Sequence, residues 1–532
     1  MTTQENKPVR KIVIVGGGSA GWITAGLLAS EHRDLDLTLI ESPDVNTIGV
    51  GEGTWPTMRA TLRRIGISES QFIDACSASF KQGTRFLGWT NGQADDVYYH
   101  PFSVPAGYPA TNTVPAWMEM RDSVSFAHCM TPQASVCDRN LAPRQAETPA
   151  YAHVLNYGYH LDAGRFAALL AEHCTATLGV KYVRDHVRAV NGEPDGDIRS
   201  LTTERNGDIG ADLFIDCSGM AAMLLGRHYQ VPFIDCKHIL FNDSALAVQV
   251  PHDDPQTDIA SQTNSSAQAG GWVWDIALSS RRGIGYVYSA CHASDDEAEE
   301  TLRRYLGQTA KSKLDSSRLR KLSFRPGYRE RFWHRNCLAI GMSAGFIEPL
   351  EASALVMVEL SATMLSDELP VNRSVMDIVA QRFNQRFSYR WARIIDFLKL
   401  HYVLSRRQDS VYWADNREAE SIPDSLSELL ALWRYQVPGP RDFSQVDEVF
   451  SAASYQYVLY GMGFETRPRA GTSARANYER AKALFAENDR LSRRYLAQLP
   501  TNRALLGPAD DSGTSIPDSP TRAAPGTRGV TA

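Results

Sequence analysis

The feature that most constrains the fold of this chain is the segment Lys11–Glu41 near its N-terminus. KIVIV is a short, continuous apolar run rich in β-branched residues, which is typical of a buried strand. A glycine-rich turn, an apolar helical stretch and a second strand, DLTLIE, follow it. The turn has the G-x-G-x-x-G spacing with Gly16, Gly18 and Gly21, and Glu41 ends the second strand. This order predicts a dinucleotide-binding unit, in which glycines admit a pyrophosphate and the acid accepts a ribose hydroxyl. A glycine-rich turn that only packs two elements together is the alternative.

Composition excludes several other classes of protein. Of 532 residues, 43% are hydrophobic and 22% are charged, as in a globular chain. There are 55 Lys+Arg and 61 Asp+Glu, and the net charge of −6 disfavours general nucleic-acid binding. The basic segment 318–335 is therefore expected to be solvated strand surface. The eight cysteines contain no C-x-x-C pair, so we expect no metal site and no disulfide framework, and a cytosolic location fits best. No segment has the length and apolar character of a membrane span.

The rest of the chain divides by pattern. The middle region, about 95–330, mixes short strands such as Leu213–Asp216 with helices such as Ala163–Thr175. Gly270–Ser289 is predicted to be a hairpin, because apolar residues alternate on both sides of a central turn. The pattern is mostly helical from about Ala352, and the Pro- and Gly-rich tail 508–532 is expected to be disordered.

Three further segments place small residues where backbone can approach a large ligand. They are TIGVGEGTWPTM (47–58), DLFIDCSG (212–219) and CLAIGMSAGFIEPLEASA (337–354). In the last, the N–H groups of Ala352, Ser353 and Ala354 are expected at the start of a helix, where anions bind readily. Ordinary loops, with Glu351 simply favoured by the helix dipole, are the alternative reading.

The position of Lys81 relative to a predicted helix does not by itself indicate a catalytic role. Ser68-x-x-Gln71 is a capping-box helix start, and the stretch 71–80 is predicted to be helical. On this basis alone, Lys81 is a surface lysine that the helix C-terminus favours.

Taken together, these segments resemble one family, the flavin-dependent halogenases of the tryptophan halogenase type. The features that match, across roughly residues 9–500, are GGGSAG, GVGEGTWPT, Phe80-Lys81, the Trp-x-Trp-x-Ile of the hairpin, GFIEPLE at 345–351, LKLHYVLSRRQDSVYW at 398–413 and YQYVLYGMGF at 455–464. The resemblance implies an α/β fold: an FAD-binding, doubly wound core like the flavin monooxygenases, with an added mixed sheet and a C-terminal helical substrate module. We place the core at 9–395, with the sheet region inserted at about 95–330, and the helical module at 396–507.

The resemblance also implies an activity. In the family, reduced FAD from a separate flavin reductase, O2 and chloride or bromide give hypohalous acid, which halogenates an electron-rich aromatic such as indole or tryptophan. Lys81 and Glu351 match the family's catalytic lysine and glutamate, and Ser353 and Ala354 match its halide site. The tunnel and substrate pocket map onto Trp272, Trp274, Ile276, His100, Phe102 and Pro349. The residues expected to hold FAD are Gly16, Gly18, Ser19, Ala20, Gly21, Glu41, Gly49, Val50, Gly51, Glu52, Asp216, Gly219, Gly341 and Leu350. No metal is expected, and the family likeness suggests a homodimer.

Two departures from the family pattern bear on specificity. Ala277 replaces the proline that usually follows Trp-x-Trp-x-Ile, and Glu351 is followed by Ala-Ser-Ala where Ser-Thr-Gly is usual. These changes resemble a branch of the family that favours bromide and free indole. A flavin monooxygenase that inserts oxygen directly, or a non-catalytic FAD-binding relative, are the alternatives. The retained Lys81 and Glu351 argue against both.

Overall fold

A computed structural model describes residues 8–45, 51–309, 319–468 and 474–507 of the chain. The predictions above for Gly49, Val50 and the tail 508–532 concern residues outside these ranges. The described elements form an α/β protein with two large sheets and three small ones, so the predicted fold class is confirmed.

The first large sheet is built on the N-terminal strand. Lys11–Val15 lies at its centre and pairs in parallel with Asp36–Glu41 on one side and Leu213–Asp216 on the other. The six strands, from one edge to the other, are Trp333–His334, Cys337–Ala339, Leu213–Asp216, Lys11–Val15, Asp36–Glu41 and Lys181–Arg184. The chain thus leaves the central strand in one direction and returns on its other side, an arrangement that opens a crevice at the carboxyl ends of the strands.

The second large sheet is mixed and carries the predicted hairpin. Its seven strands, in order, are Arg320–Ser323, Ser244–Pro251, Arg281–Tyr288, Gly271–Ala277, Thr263–Gln268, Gly83–Leu87 and Val97–Pro101. Only the pair Thr263–Gln268 and Gly83–Leu87 is parallel. The sheet therefore begins before residue 95, earlier than the sequence predicted, because Gly83–Leu87 joins it next to Val97–Pro101.

The structure also contains three small sheets among the described residues. Their strands are Asp208–Gly210, Ser200–Thr203 and Val187–Asn191; Phe233–Asp235, Gly327–Arg329 and Gly345–Phe346; and Glu52–Gly53, Gly158–Leu161 and Ser79–Lys81. The last of these sheets carries part of the candidate site.

Helices cover the sheets and make up most of the C-terminal part. The α-helices of the described residues are Ser19–Glu31, Met58–Ile65, Glu69–Ala75, Val114–Met118, Phe126–Met130, Pro132–Asp138, Ala163–Ala176, Asp295–Thr309, Ser353–Asp367, Arg373–Val403, Val411–Asp415, Asp424–Trp433, Ala452–Gly461, Ala474–Gln498 and Asn502–Leu506. The domain boundary predicted at residue 395 falls inside the continuous helix Arg373–Val403, so no linker marks it. None of the helices in the described ranges is long and apolar enough to cross a membrane.

Candidate functional site

The glycine-rich turn after the first strand forms a cradle at the carboxyl edge of the first sheet. Gly16 has φ +120°, and a Cβ there would lie 2.1 Å from the carbonyl oxygen of Cys217. A Cβ on Gly21 would lie 2.0 Å from the carbonyl oxygen of Gly16. A Cβ on Gly18, in contrast, would meet no atom within 4 Å, and no side chain caps the helix that begins at Ser19. The turn is therefore closely packed behind and open in front, where uncapped N–H groups suit a phosphate.

Two other predicted segments converge on this turn. Gly341 has φ +79°, and a Cβ there would lie 2.8 Å from the Cβ of Ala20. Glu41 ends its strand beside the turn, and its Oε2 accepts a 2.6 Å hydrogen bond from the Tyr182 hydroxyl. These segments thus lie together at the turn, and their geometry fits the nucleotide part of a dinucleotide cofactor.

Asp216, Gly219 and Leu350 differ in what they offer a ligand. The Asp216 carboxylate is fully buried and accepts hydrogen bonds from the backbone of Ser218, Leu224 and Leu225 and from the Ser218 hydroxyl. It stabilises its own turn, so it has no side-chain atom to give a cofactor. Leu350 lies in the core, whereas Gly219 has φ +67° at the open end of the turn.

Lys81 is not a surface lysine, and the prediction of a helix over 71–80 was wrong. The Ser68 hydroxyl caps the helix as expected, but the helix ends at Ala75 and Ser77 adopts φ +47°. The chain then forms the strand Ser79–Lys81, which pairs with Gly158–Leu161. This pairing overrides the local helical signal and buries Lys81 to 1% exposure.

The Lys81 amine lies between Gly53, Phe102 and the loop of Glu351 and Ala352. We call these buried surroundings of Lys81 and Glu351 the chamber. The Lys81 Nζ lies 5.5 Å from the centroid of the Phe102 ring. A Cβ on Gly53 would come within 3.0 Å of this Nζ and 3.3 Å of the Ala352 Cβ. Because position 53 is a glycine and has no Cβ, the Lys81 amine has space beside the loop of Glu351.

Glu351 lies in a loop whose backbone is held in an uncommon conformation. Glu351 and Ala352 have φ of +64° and +55°, the left-handed region that non-glycine residues rarely adopt. The Trp55 indole N–H donates to the Glu351 carbonyl at 2.9 Å. The Glu351 side chain then turns inward, where its Oε1 is 2.7 Å from His100 Nδ1 and its Oε2 accepts from the Thr84 hydroxyl at 3.2 Å.

Burial and charge set the protonation states of this chamber. Burial lowers the pKa of Lys81 to about 8, although Glu351 and Glu52 counteract part of the shift. Burial raises the pKa of Glu52 to about 7. Burial also raises the pKa of Glu351, but His100, His401 and Lys81 outweigh it and hold that pKa below its ordinary value. A lysine that exchanges its proton near neutral pH thus faces an ionised carboxylate.

Aromatic rings line the chamber. The His100 ring lies 5.6 Å from the Phe397 ring and 6.4 Å from that of Phe450 by centroid, and Trp55 lies 4.8 Å from Phe450. The predicted pocket residues His100 and Phe102 are therefore at the site. Phe397, Phe450 and Trp55 were not predicted to line it; they come from distant parts of the chain, and their aromatic character was the only sequence signal.

The predicted tryptophan motif lies on the hairpin strand Gly271–Ala277. Trp272, Trp274 and Ile276 face the main core, whereas Val273 faces a separate cluster, as their alternation predicted. Ile276 lies against the position of a Cβ on Gly51, at 4.0 Å. The hairpin therefore contacts one of the predicted cofactor segments.

Glu348 was missed by the sequence reasoning, although it lies in the same GFIEPLE segment. Its Oε2 accepts hydrogen bonds of 2.7 Å from the Trp272 indole, the Asn242 amide and the Tyr402 hydroxyl. All four side chains are buried. Glu348 thus joins the Trp-x-Trp strand to the loop that carries Glu351.

The start of helix Ser353–Asp367 follows directly. Ala352 occupies its N-cap without a side-chain hydrogen bond, so the first N–H groups have no capping partner. Ser353 is buried, Ala354 is exposed, and Pro349, half-buried, accepts from the Ala352 N–H at 3.0 Å. Among the residues that the structure describes, no group of three or more His, Cys, Asp or Glu side chains is placed to hold a metal ion.

The sequence and the fold of this chain are similar to those of known proteins of one family. The tryptophan halogenase family model matches residues 11–477. The tryptophan 6-halogenase SttH of Streptomyces toxytricini is 33% identical over 478 residues, which cover 85% of this chain and 89% of that protein. The crystal structure of a tryptophan halogenase from Shewanella frigidimarina superposes with a TM-score of 0.91 at 50% identity, covering 94% of this chain and 98% of that one. A tryptophan C-6 flavin-dependent halogenase from taromycin biosynthesis gives a TM-score of 0.86 at 31% identity, with coverage of 93% and 99%. The chain therefore belongs to the tryptophan halogenase family, and it is a flavin-dependent halogenase.

Proposed function

We propose that this enzyme uses reduced FAD, O2 and chloride or bromide to halogenate an electron-rich aromatic such as indole or tryptophan. The observation that carries the proposal is that the Lys81 amine and the Glu351 carboxylate are both buried among aromatic rings, with Phe102 near the amine and His100 beside the carboxylate. A hydroxylating enzyme, the main alternative, has no use for this pair.

The cofactor would lie in the crevice of the first sheet. The open front of Gly18 and the N–H groups of Ser19 and Ala20 suit the pyrophosphate, and Glu41 suits a ribose hydroxyl. When bound, reduced FAD would supply two of the four electrons that O2 accepts, and the halide would supply the other two as it is oxidised to hypohalous acid. The uncapped N–H groups of Ser353 and Ala354 would bind the halide.

Lys81 would hold the oxidised halogen at the substrate. In its ammonium form it donates a hydrogen bond to hypohalous acid, and in its amine form it replaces hydroxide on the halogen to give a haloamine and water. Both forms are present near neutral pH because the pKa is about 8. The aromatic carbon forms a bond to the halogen, the bond from halogen to its carrier breaks, and Glu351 accepts the ring proton.

A mass-spectrometric turnover assay tests the proposal. Protein, FAD, a flavin reductase with NADH and O2 are incubated with indole or tryptophan, and with chloride or bromide in separate reactions. We expect a halogen isotope pattern on product, its loss in Lys81→Ala and a large decrease in Glu351→Gln. Because Ala277 and the Ala-Ser-Ala segment follow the bromide-preferring branch, we expect bromide and indole to give the higher rates. Oxygenated products alone would overturn the proposal.

We also propose that the enzyme works in the cytosol as a homodimer served by a separate flavin reductase. All eight cysteines are free, and seven of them are buried, which suits a reducing compartment. Light scattering of the purified protein would test the dimer.

A further inference from the structure

His401 is a buried histidine beside Glu351 for which the sequence analysis gave no role. It lies near the end of helix Arg373–Val403 and is fully buried. Its Nε2 lies 3.6 Å from Oε1 of Glu351 and has no hydrogen-bond partner within the part of the chain that the structure describes. A buried polar atom without a partner costs free energy, so its position beside Glu351 calls for a reason.

The other ring nitrogen of His401 is tied to Tyr98. Its Nδ1 lies 2.7 Å from the Tyr98 hydroxyl. The Phe86 ring stacks on both, with centroids 4.5 Å from Tyr98 and 4.8 Å from His401. A Cβ on Gly461 would come within 2.9 Å of Tyr98, so this side chain has no room to move away. The His401 ring is therefore fixed in place and in orientation.

The contact with Tyr98 bears on which nitrogen carries the proton, because donor and acceptor in it depend on the tautomer of His401. Burial lowers the pKa of His401 to about 3, so the ring is neutral with one N–H. When the Tyr98 hydroxyl donates to Nδ1, the N–H must be at Nε2, where it points at the Glu351 carboxylate. Catalytic hydrogen bonds are often long before substrate binds, and 3.6 Å is a distance that a small movement closes.

A second buried glutamate, Glu359, indicates what the pKa of Glu351 would be without such neighbours. Glu359 is 1% exposed and accepts only from the hydroxyls of Thr57 and Thr61 among the hydrogen bonds of the described residues. Burial raises its pKa to about 7. Glu351 is similarly buried, yet its pKa is lowered, because His100, His401 and the charge of Lys81 act on it together.

We propose that His401, in the tautomer set by Tyr98, is a positioning residue that keeps Glu351 ionised and aimed at the substrate. The proposal rests on the proposed function, in which Glu351 accepts the ring proton. The titratable groups that face Glu351 and His401 from the surrounding elements are Lys81 and Glu52 from the small sheet, and Tyr98 and His100 from strand Val97–Pro101.

The first measurement uses the protein alone. Infrared difference spectra, recorded from pH 2.5 to pH 9 so that the range extends below the lowered pKa of Glu351, follow its protonated carboxyl band, which is assigned by its absence in Glu351→Gln. In His401→Leu the midpoint should rise by about one pH unit, because the polar ring beside the carboxylate is replaced by an apolar side chain. His401→Gln keeps an N–H donor and should restore most of the shift. Tyr98→Phe removes the hydroxyl that selects the His401 tautomer. The midpoint of Glu351 should therefore also rise, but by less than in His401→Leu.

The second measurement is the pH profile of kcat/KM for halogenation. Its acid limb should move to higher pH in His401→Leu by the same amount as the infrared midpoint. His252→Gln, a half-buried histidine whose Nε2 hydrogen-bonds to the Leu278 carbonyl, is the control and should leave both unchanged. If the wild type halogenates but neither midpoint nor limb moves in His401→Leu and Tyr98→Phe, this proposal is overturned. If the wild type makes no halogenated product, the proposed function fails, whatever the spectra show.

Discussion

Replacing Lys81 by methionine should abolish halogenation and stabilise the protein. Methionine fills the space of the lysine stem, but it has no amine to place over the Phe102 ring. The pKa of Lys81 falls from an ordinary 10.5 to about 8, so holding the ammonium in this chamber costs about 3 kcal/mol at neutral pH. The attraction of Glu351 and Glu52 is already included in that shift.

The stability gain should depend on pH in a defined direction. The folded-state pKa lies below the unfolded one, so the unfolded chain binds more protons between about pH 8 and 10.5. Wild-type stability from this group therefore rises with pH through that window. The advantage of Lys81→Met should fall from about 3 kcal/mol at pH 7 to about 2 kcal/mol at pH 9.

Chemical denaturation at pH 7 and pH 9 measures both values. Lys181→Met is the control: Lys181 is exposed and pairs with Asp36 at the surface, so its change should stay within about 1 kcal/mol at either pH. A Lys81→Met protein that is less stable than the wild type, or whose advantage is the same at both pH values, would refute the reasoning. If the Lys81→Met protein still halogenates its substrate, Lys81 has no essential role in the reaction.

Two further predictions concern the cofactor turn and the Glu348 contacts. Gly18→Ala should leave the thermal midpoint unchanged but weaken FAD binding in a fluorescence titration by about tenfold, because the added methyl group enters only the open cradle. Gly16→Ala should lower the thermal midpoint, since its Cβ would meet backbone at 2.1 Å; equal effects of the two would contradict this assignment. Glu348→Gln should reduce kcat by roughly tenfold, because the neutral amide weakens the hydrogen bonds that hold Trp272. Glu359→Gln, its buried match outside these contacts, should not do so, and equal losses in both variants would count against a role for Glu348.

Much of the scaffold could be predicted because its signals are local. The strand Lys11–Val15, its glycine turn and the strand Asp36–Glu41 are continuous in sequence, and their patterns carry their own geometry. The hairpin of Trp272 and Trp274 is equally local, since alternation alone sorts its residues to two faces. Ordered motifs along the chain also identified the family, which comparison confirmed.

The site was predictable only in part. Glu351 and Lys81 came from the family likeness, whereas spacing alone put Lys81 at the end of a surface helix. A helical pattern cannot reveal that a later strand, Gly158–Leu161, pairs with Ser79–Lys81 and buries it.

The fold class and the glycine-rich turn could be predicted from local patterns in the sequence, and the family likeness indicated the residue types that the proposed chemistry needs. The environment of these residues depends on the folded chain: Lys81 is buried, His100 and His401 flank Glu351, and Glu348 binds Trp272. These contacts join residues hundreds of positions apart, and desolvation depends on everything packed around a group. No local sequence pattern records these long-range contacts or the degree of desolvation. Together the two set the protonation states on which the proposed reaction depends.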